Sequence, residues 1–237
     1  MGLAQTEHVL HLQVGQHRGS PPEAHYNAEP MFNLEPTLLL TRVITLVIAF
    51  TVHEFAHAWT ADQLGDDTPR LAGRLSLNPL VHLDLIGSLM LVFAGFGWAK
   101  PVPINPYVLQ RRTSAGIMIV AAAGPISNMG LAILASLPIQ MGLVDVSPGF
   151  VQALLIDFIF LNLILFFFNL IPIFPLDGEK VLSYFLPAGG QALLAQIRPY
   201  GPVLLVAIIV LSSRAGLNLL GVLVQAPALN VLQLLVT

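Results

Sequence analysis

Residues 37–60 read TLLLTRVITLVIAFTVHEFAHAWT. About 20 apolar residues at 1.5 Å each cover the hydrocarbon core of a bilayer, so this stretch predicts a membrane-crossing helix. Near its far end it carries His53-Glu54-Phe55-Ala56-His57. Histidines four apart on a helix are about 40° from eclipsed and roughly 6 Å apart along the axis, so both rings reach one point. A tetrahedral zinc accepts two imidazoles at that spacing and keeps positions for a third protein ligand and a water. Glu54 flanks the first histidine, where it can take a proton from such a water. Ionisable groups inside a span cost about 2.5–3.5 kcal/mol each on insertion scales, so three of them near one end need a reason. The plainer alternative is a buried polar cluster that holds helices together.

Composition points the same way. The chain has 237 residues, 55% of them hydrophobic and only 10% charged, with a mean hydropathy of +0.77. A soluble domain carries about 25% charged residues, so an integral membrane protein is expected. The net charge is −3 with no basic block, which gives nucleic-acid binding no support. Cysteine is absent, which excludes disulfides and thiolate–zinc sites and leaves His, Asp and Glu as zinc ligands.

Outward from the first span, residues 1–36 are polar and carry His8, His11, His17 and His25. They lack the basic region followed by an apolar core of a signal peptide, and they read as a disordered tail, dispensable up to Met31. Asp62, Asp66 and Asp67 mark the exit of the first span to water, and Arg42 near its other end is placed to snorkel. Residues 65–112 are irregular. Their apolar piece at 83–96 is about 14 residues, short of a full span, and reads as a short helix or a re-entrant element. Lys100-Pro101-Val102-Pro103-Ile104-Asn105 after it must be extended. Further spans are expected at about 114–142, 150–171, 199–213 and 216–236. The fold class is therefore an all-α membrane protein, a polytopic helical bundle of about five to six transmembrane segments with a re-entrant or β-hairpin-like loop. Basic residues Arg70, Arg74, Lys100, Arg111, Arg112 and Lys180 fall in loops that put the histidine pair near the cytoplasmic face.

A zinc on His53 and His57 needs a third ligand. Asp177 fits best, since Pro172 and Pro175 free backbone groups and bend the chain just before it. Asp84 and Asp157 are weaker candidates. An alternative for Asp177 is a turn or cap role, because Asp-Gly is a common turn pair. His82 and Asp84 read as loop-satisfying groups, Gly124 and Asn128 as packing and hydrogen-bonding residues, and Phe166–Phe168 as lipid-facing or core.

Three motifs in order carry a resemblance: His53-Glu54-Phe55-Ala56-His57, Gly124-Pro125-Ile126-Ser127-Asn128, and Asn169 followed by Pro172, Pro175-Leu176-Asp177-Gly178. Together with the 73–79 and 97–105 loops they resemble the site-2 protease family of intramembrane zinc metalloproteases, in a short form without PDZ or CBS domains. The resemblance covers about residues 40–185. It implies one Zn2+ per chain held by His53, His57 and Asp177, with Glu54 as general base. It also implies that Asn169 positions substrate, although an inter-helix hydrogen bond is an equal alternative for that residue. The implied organisation is a tail at 1–36, a catalytic transmembrane core at 37–198 and C-terminal transmembrane helices at 199–237. The implied substrate is a transmembrane segment of another protein, unwound and held against an edge strand around Val102 and Ile104. The implied location is the plasma membrane of a bacterium or archaeon. A membrane metal or proton transporter using the same ligands is the alternative. It calls for ionisable groups through the whole membrane depth, and Asp157 alone answers in the outer half.

Overall fold

In the computed structural model, which describes residues 36–84, 87, 99–144, 150–214 and 218–237, the opening stretch forms one helix, α1 (Pro36–Gln63). A short α2 (Thr68–Leu71) and a 3-10 turn (Pro79–Val81) follow. Then come α3 (Pro106–Arg112), α4 (Gly116–Gln140) and α5 (Phe150–Asn169). The chain ends with α6 (Asp177–Phe185), α7 (Ala188–Ile197), α8 (Gly201–Arg214) and α9 (Ala226–Val236). Among the described residues all regular structure is helical, apart from an isolated antiparallel bridge between Leu83 and Ala99. The expected tail and nearly all of the apolar 83–96 piece lie outside the described residues.

Two helical starts use the same chemistry. Asn78 and Asn105 each precede a proline, and each side chain accepts the backbone N–H two residues on. An Asn cap followed by proline is a preferred helix start, because proline lacks an N–H that would go unused there and has its φ already set.

α4 is the central element: it packs against α1, α3, α5, α6 and α9. Ala121 and Gly124, one turn apart and both buried, give it a face of small side chains, which lets neighbouring backbones come close where lipid offers no hydrophobic drive. On its other half, Ala132 and Ile139 join Ile159 and Leu163 of α5 and Ala228 and Leu232 of α9 in a buried apolar core. A second cluster of Ala61, Leu109 and Val120 locks the end of α1 to α3 and α4. A third, around Ile171, Leu176 and Val224, takes in Phe167 and Phe168, so two of the three phenylalanines turn inward.

Three helical stretches are long and apolar enough to cross a membrane: Leu40–Gln63, Gly116–Gln140 and Ala188–Val210. Leu154–Asn169 and Gly221–Val236 are apolar but shorter. The helical run before the end therefore begins at Ala188, not near residue 199 as the sequence reading had it. Pro199 falls in the first turn of a short 3-10 segment (Arg198–Tyr200), where a missing N–H costs little.

Two charged residues have partners the sequence did not show. The Nε of Arg42 lies 3.5 Å from Asp157 Oδ1 on α5. Asp66 does not face water. It is fully buried, and it accepts from the backbone N–H and hydroxyl of Thr68 and from the backbone N–H of Asn105.

Candidate metal centre

His53 and His57 both lie on the side of α1 that faces α4, one turn apart, and both are buried. The chain returns to them after α5 through tight turns, with Ile173 N–H donating to Ile171 O and Leu176 N–H to Ile173 O. These turns set Asp177 at the first position of α6, with Leu176 as the N-cap residue and no side-chain cap. The Asp177 carboxylate is thus left free of the capping role that was its plainer alternative. Gly178 is required by a close approach. A Cβ there would overlap the Leu170 and Ile171 carbonyls, so no larger residue lets the first turn of α6 lie so near the end of α5.

The result is a triangle of donor atoms. Asp177 Oδ2 is 3.2 Å from His53 Nε2 and 3.1 Å from His57 Nε2, and the two Nε2 atoms are 3.1 Å apart. Tetrahedral zinc with bonds of about 2.0–2.1 Å keeps its ligand atoms about 3.3 Å apart, close to these edges. The protons tell the same story. His57 Nδ1 donates to the Val120 carbonyl at 2.7 Å, and His53 Nδ1 donates to Asn128 Oδ1 at 2.6 Å. With each Nδ1 carrying the proton, both Nε2 lone pairs face a carboxylate oxygen. Three acceptors at this range repel one another unless a cation joins them. Gly124 leaves the room, since a Cβ at that position would overlap both Nε2 atoms. The donor set and the space fit a zinc ion held by His53, His57 and Asp177.

The second oxygen of Asp177, Oδ1, is 3.4 Å from Lys180 Nζ one turn further along α6. Glu54 is buried beside the triangle, and its Oε2 has no hydrogen-bond partner.

The other sequence candidates separate. Asp84 accepts from Gly87 N–H, Asp157 pairs with Arg42, and neither joins the triangle. Arg42 therefore pairs with the carboxylate on which the transporter alternative relied. His82 donates to Ser76 O, as a loop-satisfying histidine does. Asn169 donates to Leu165 O in its own helix, rather than across to another. Val102 and Ile104 are half-buried on the same side of the extended segment, with Ile104 packed against the Ala61, Leu109 and Val120 cluster.

That segment is anchored by two residues whose sequence positions, at the exit of the first span and in a basic loop, did not point to this role. The buried Arg74 guanidinium donates to the carbonyls of Lys100 and Pro101 at 3.0 and 2.9 Å, and Asp66 takes Asn105 N–H at the other end. A charged residue amid the loop's apolar neighbours was the available signal for Arg74. Asn162 was likewise visible as the single polar residue in the apolar run 158–168.

A helical protein with membrane-length helices and a buried two-histidine, one-aspartate cluster belongs to the class of membrane proteins with a candidate metal centre. Comparison with curated proteins carries this to a family. A Bacillus subtilis protein named "Putative zinc metalloprotease YwhC" is 41% identical over 175 residues, covering 71% of this chain and 79% of that protein. A Mycolicibacterium smegmatis protein named "Putative zinc metalloprotease Rip2" is 31% identical over 180 residues, covering 71% of this chain and 68% of that protein. The chain belongs to this family of zinc metalloproteases. No protein-family model and no solved structure matches it.

Proposed function

We propose that this chain is an intramembrane zinc metalloprotease of the site-2 type, which hydrolyses peptide bonds in transmembrane segments of other membrane proteins in regulated intramembrane proteolysis. One observation carries the reading. Three donor atoms meet within 3.1–3.2 Å inside a membrane-length helical bundle, and the unpartnered Oε2 of Glu54 is buried beside them. His53, His57 and Asp177 would hold the zinc, which when bound supplies Lewis acidity and lowers the pKa of a water to about 7. Glu54 takes the proton of the attacking water and delivers it to the leaving amine. The buried position of Glu54 keeps bulk water from competing for that proton.

A transmembrane helix hides its carbonyls in i to i−4 bonds and must unwind before attack. The extended segment around Val102 and Ile104 is the surface on which we seat the unwound strand. Arg74 and Asp66 hold the two ends of this segment, so part of the ordering cost of strand pairing is met before substrate arrives. Asn169 serves as a substrate-positioning residue. The basic loops next to the site put it toward the cytoplasmic face of the membrane.

The decisive experiment is Glu54→Gln in the full chain. The variant is expected to retain one zinc per chain and to lose cleavage of a transmembrane reporter by about 10²–10⁴-fold. Cleavage at the wild-type rate would end the protease reading.

A further inference from the structure

His57 and His53 solve the same problem in different ways. Each must keep its proton on Nδ1 so that Nε2 presents a lone pair to the donor triangle. For His57 a backbone carbonyl, Val120 O, enforces this directly, because a carbonyl can only accept. His53 has no such carbonyl. Its Nδ1 meets a side-chain amide, Asn128, whose oxygen and nitrogen would interchange by a simple flip.

We propose that Asn162 of α5, which touches no donor atom, is the residue that sets the tautomer of His53. The direction of the chain is dictated from its far end. Asn162 Nδ2 lies 2.9 Å from the carbonyl of Phe158, so its NH2 group must point there and its Oδ1 must point away. That Oδ1 is 3.0 Å from Asn128 Nδ2, so it turns the NH2 group of Asn128 toward α5. Asn128 Oδ1 is then left facing His53 Nδ1 at 2.6 Å, where it can only accept. The proton sits on Nδ1 and the Nε2 lone pair is available.

Flipping either amide would put like against like at two contacts in succession. Asn128 and Asn162 are fully buried and His53 nearly so, which leaves no water to repair the mismatch. The relay thus transfers the polarity of one α5 backbone carbonyl, through two amides, to an α1 imidazole. Asn162 acts through Asn128 and is a positioning residue. The inference rests on the reading of His53, His57 and Asp177 as a zinc site.

The test compares Asn162→Leu with Asn162→Asp, each in the full chain in detergent. Leucine keeps the branched outline with the same number of heavy atoms and removes both polar ends. A buried aspartic acid stays protonated, so it donates to Phe158 O through its hydroxyl and accepts from Asn128 through its carbonyl. Chelator-competition titration with zinc is expected to show about 10-fold weaker binding for N162L and recovery to within about twofold for N162D. In metal-free wild-type protein, nitrogen NMR is expected to find His53 protonated at Nδ1. Unchanged zinc affinity in N162L, equal loss in both variants, or a bare Nδ1 on wild-type His53 would each overturn the relay. The wild-type NMR reading decides even where N162L does not fold. Failure of wild-type protein to bind zinc would overturn the metal-centre reading and leave the tautomer result standing.

Discussion

Glu179 meets Arg198 at 2.7 Å, which ties the first turn of α6 to the turn that leads into α8. The Glu179 side chain is 3% exposed and that of Arg198 is 49% exposed. The guanidinium also lies 5.9 Å from the centre of the Phe174 ring, just before the segment that delivers Asp177. Glu179 is two residues from Asp177, so the pair braces the third donor of the triangle from behind.

Removing the cation alone should therefore cost more than removing both charges. Arg198→Ala leaves a buried carboxylate whose other oxygen, Oε2, already has no partner. A fully buried pair broken this way loses about 3–5 kcal/mol; the half-exposed guanidinium brings that down to about 1–2 kcal/mol. Thermal unfolding in detergent should show the loss for Arg198→Ala and partial recovery for the Glu179→Leu, Arg198→Ala double variant. Equal stability of wild type and Arg198→Ala would show that the pair contributes nothing.

Gly124 offers a prediction in which two measurements part company. Glycine inside a helix is less stable than alanine by about 0.5–1 kcal/mol, so Gly124→Ala should favour α4 itself. The added Cβ, however, falls on both imidazole Nε2 atoms. We expect helix content to be kept and zinc affinity to fall by more than about 100-fold, because the methyl occupies the space the donors surround. Gly130 on the same helix has no heavy atom within 4 Å of a Cβ. Gly130→Ala should therefore keep wild-type zinc affinity, and loss in both variants would point to a general helix effect.

The parts of this molecule that were readable in the sequence are those where one residue type at one spacing has few physical uses. Two histidines four apart within an apolar run, and a lone aspartate after a proline-rich turn, pointed to one another across 124 and 120 positions, and the structure brings them together. Asn128 was read as a hydrogen-bonding residue, but nothing in its spacing names His53 as its partner. That depends on the rotation of α4 against α1, which many small contacts set jointly. The partner of Arg42 was hidden for a related reason: Asp157 comes within reach only once α5 is packed beside α1. Asp66 and Arg74 looked like residues at the water boundary. They are instead the buried acceptor and donor that hold a proline-containing segment, which has few N–H groups of its own with which to fix itself.

Arg74 gives the last test, because it separates the extended segment from the metal site. Its guanidinium donates to two successive carbonyls, Lys100 O and Pro101 O, and is almost fully buried. Hydrogen bonds from a charged donor contribute about 1.5–3 kcal/mol each, and a methionine of similar length supplies neither. Arg74→Met should loosen one end of the segment while Asp66 still holds Asn105 at the other. Local opening should become easier by about 1.4–2.8 kcal/mol, which hydrogen exchange reads as a 10–100-fold faster rate at the Lys100 amide, whose N–H donates to His82 O. None of the three donor atoms belongs to this loop, so zinc affinity should stay within about twofold of wild type. A transmembrane reporter should then show a raised KM with kcat little changed, since strand pairing pays the ordering cost that Arg74 had met. Unchanged exchange at Lys100 would mean that Arg74 does not brace the segment. A fall in zinc binding would mean that the loop and the metal centre are mechanically one.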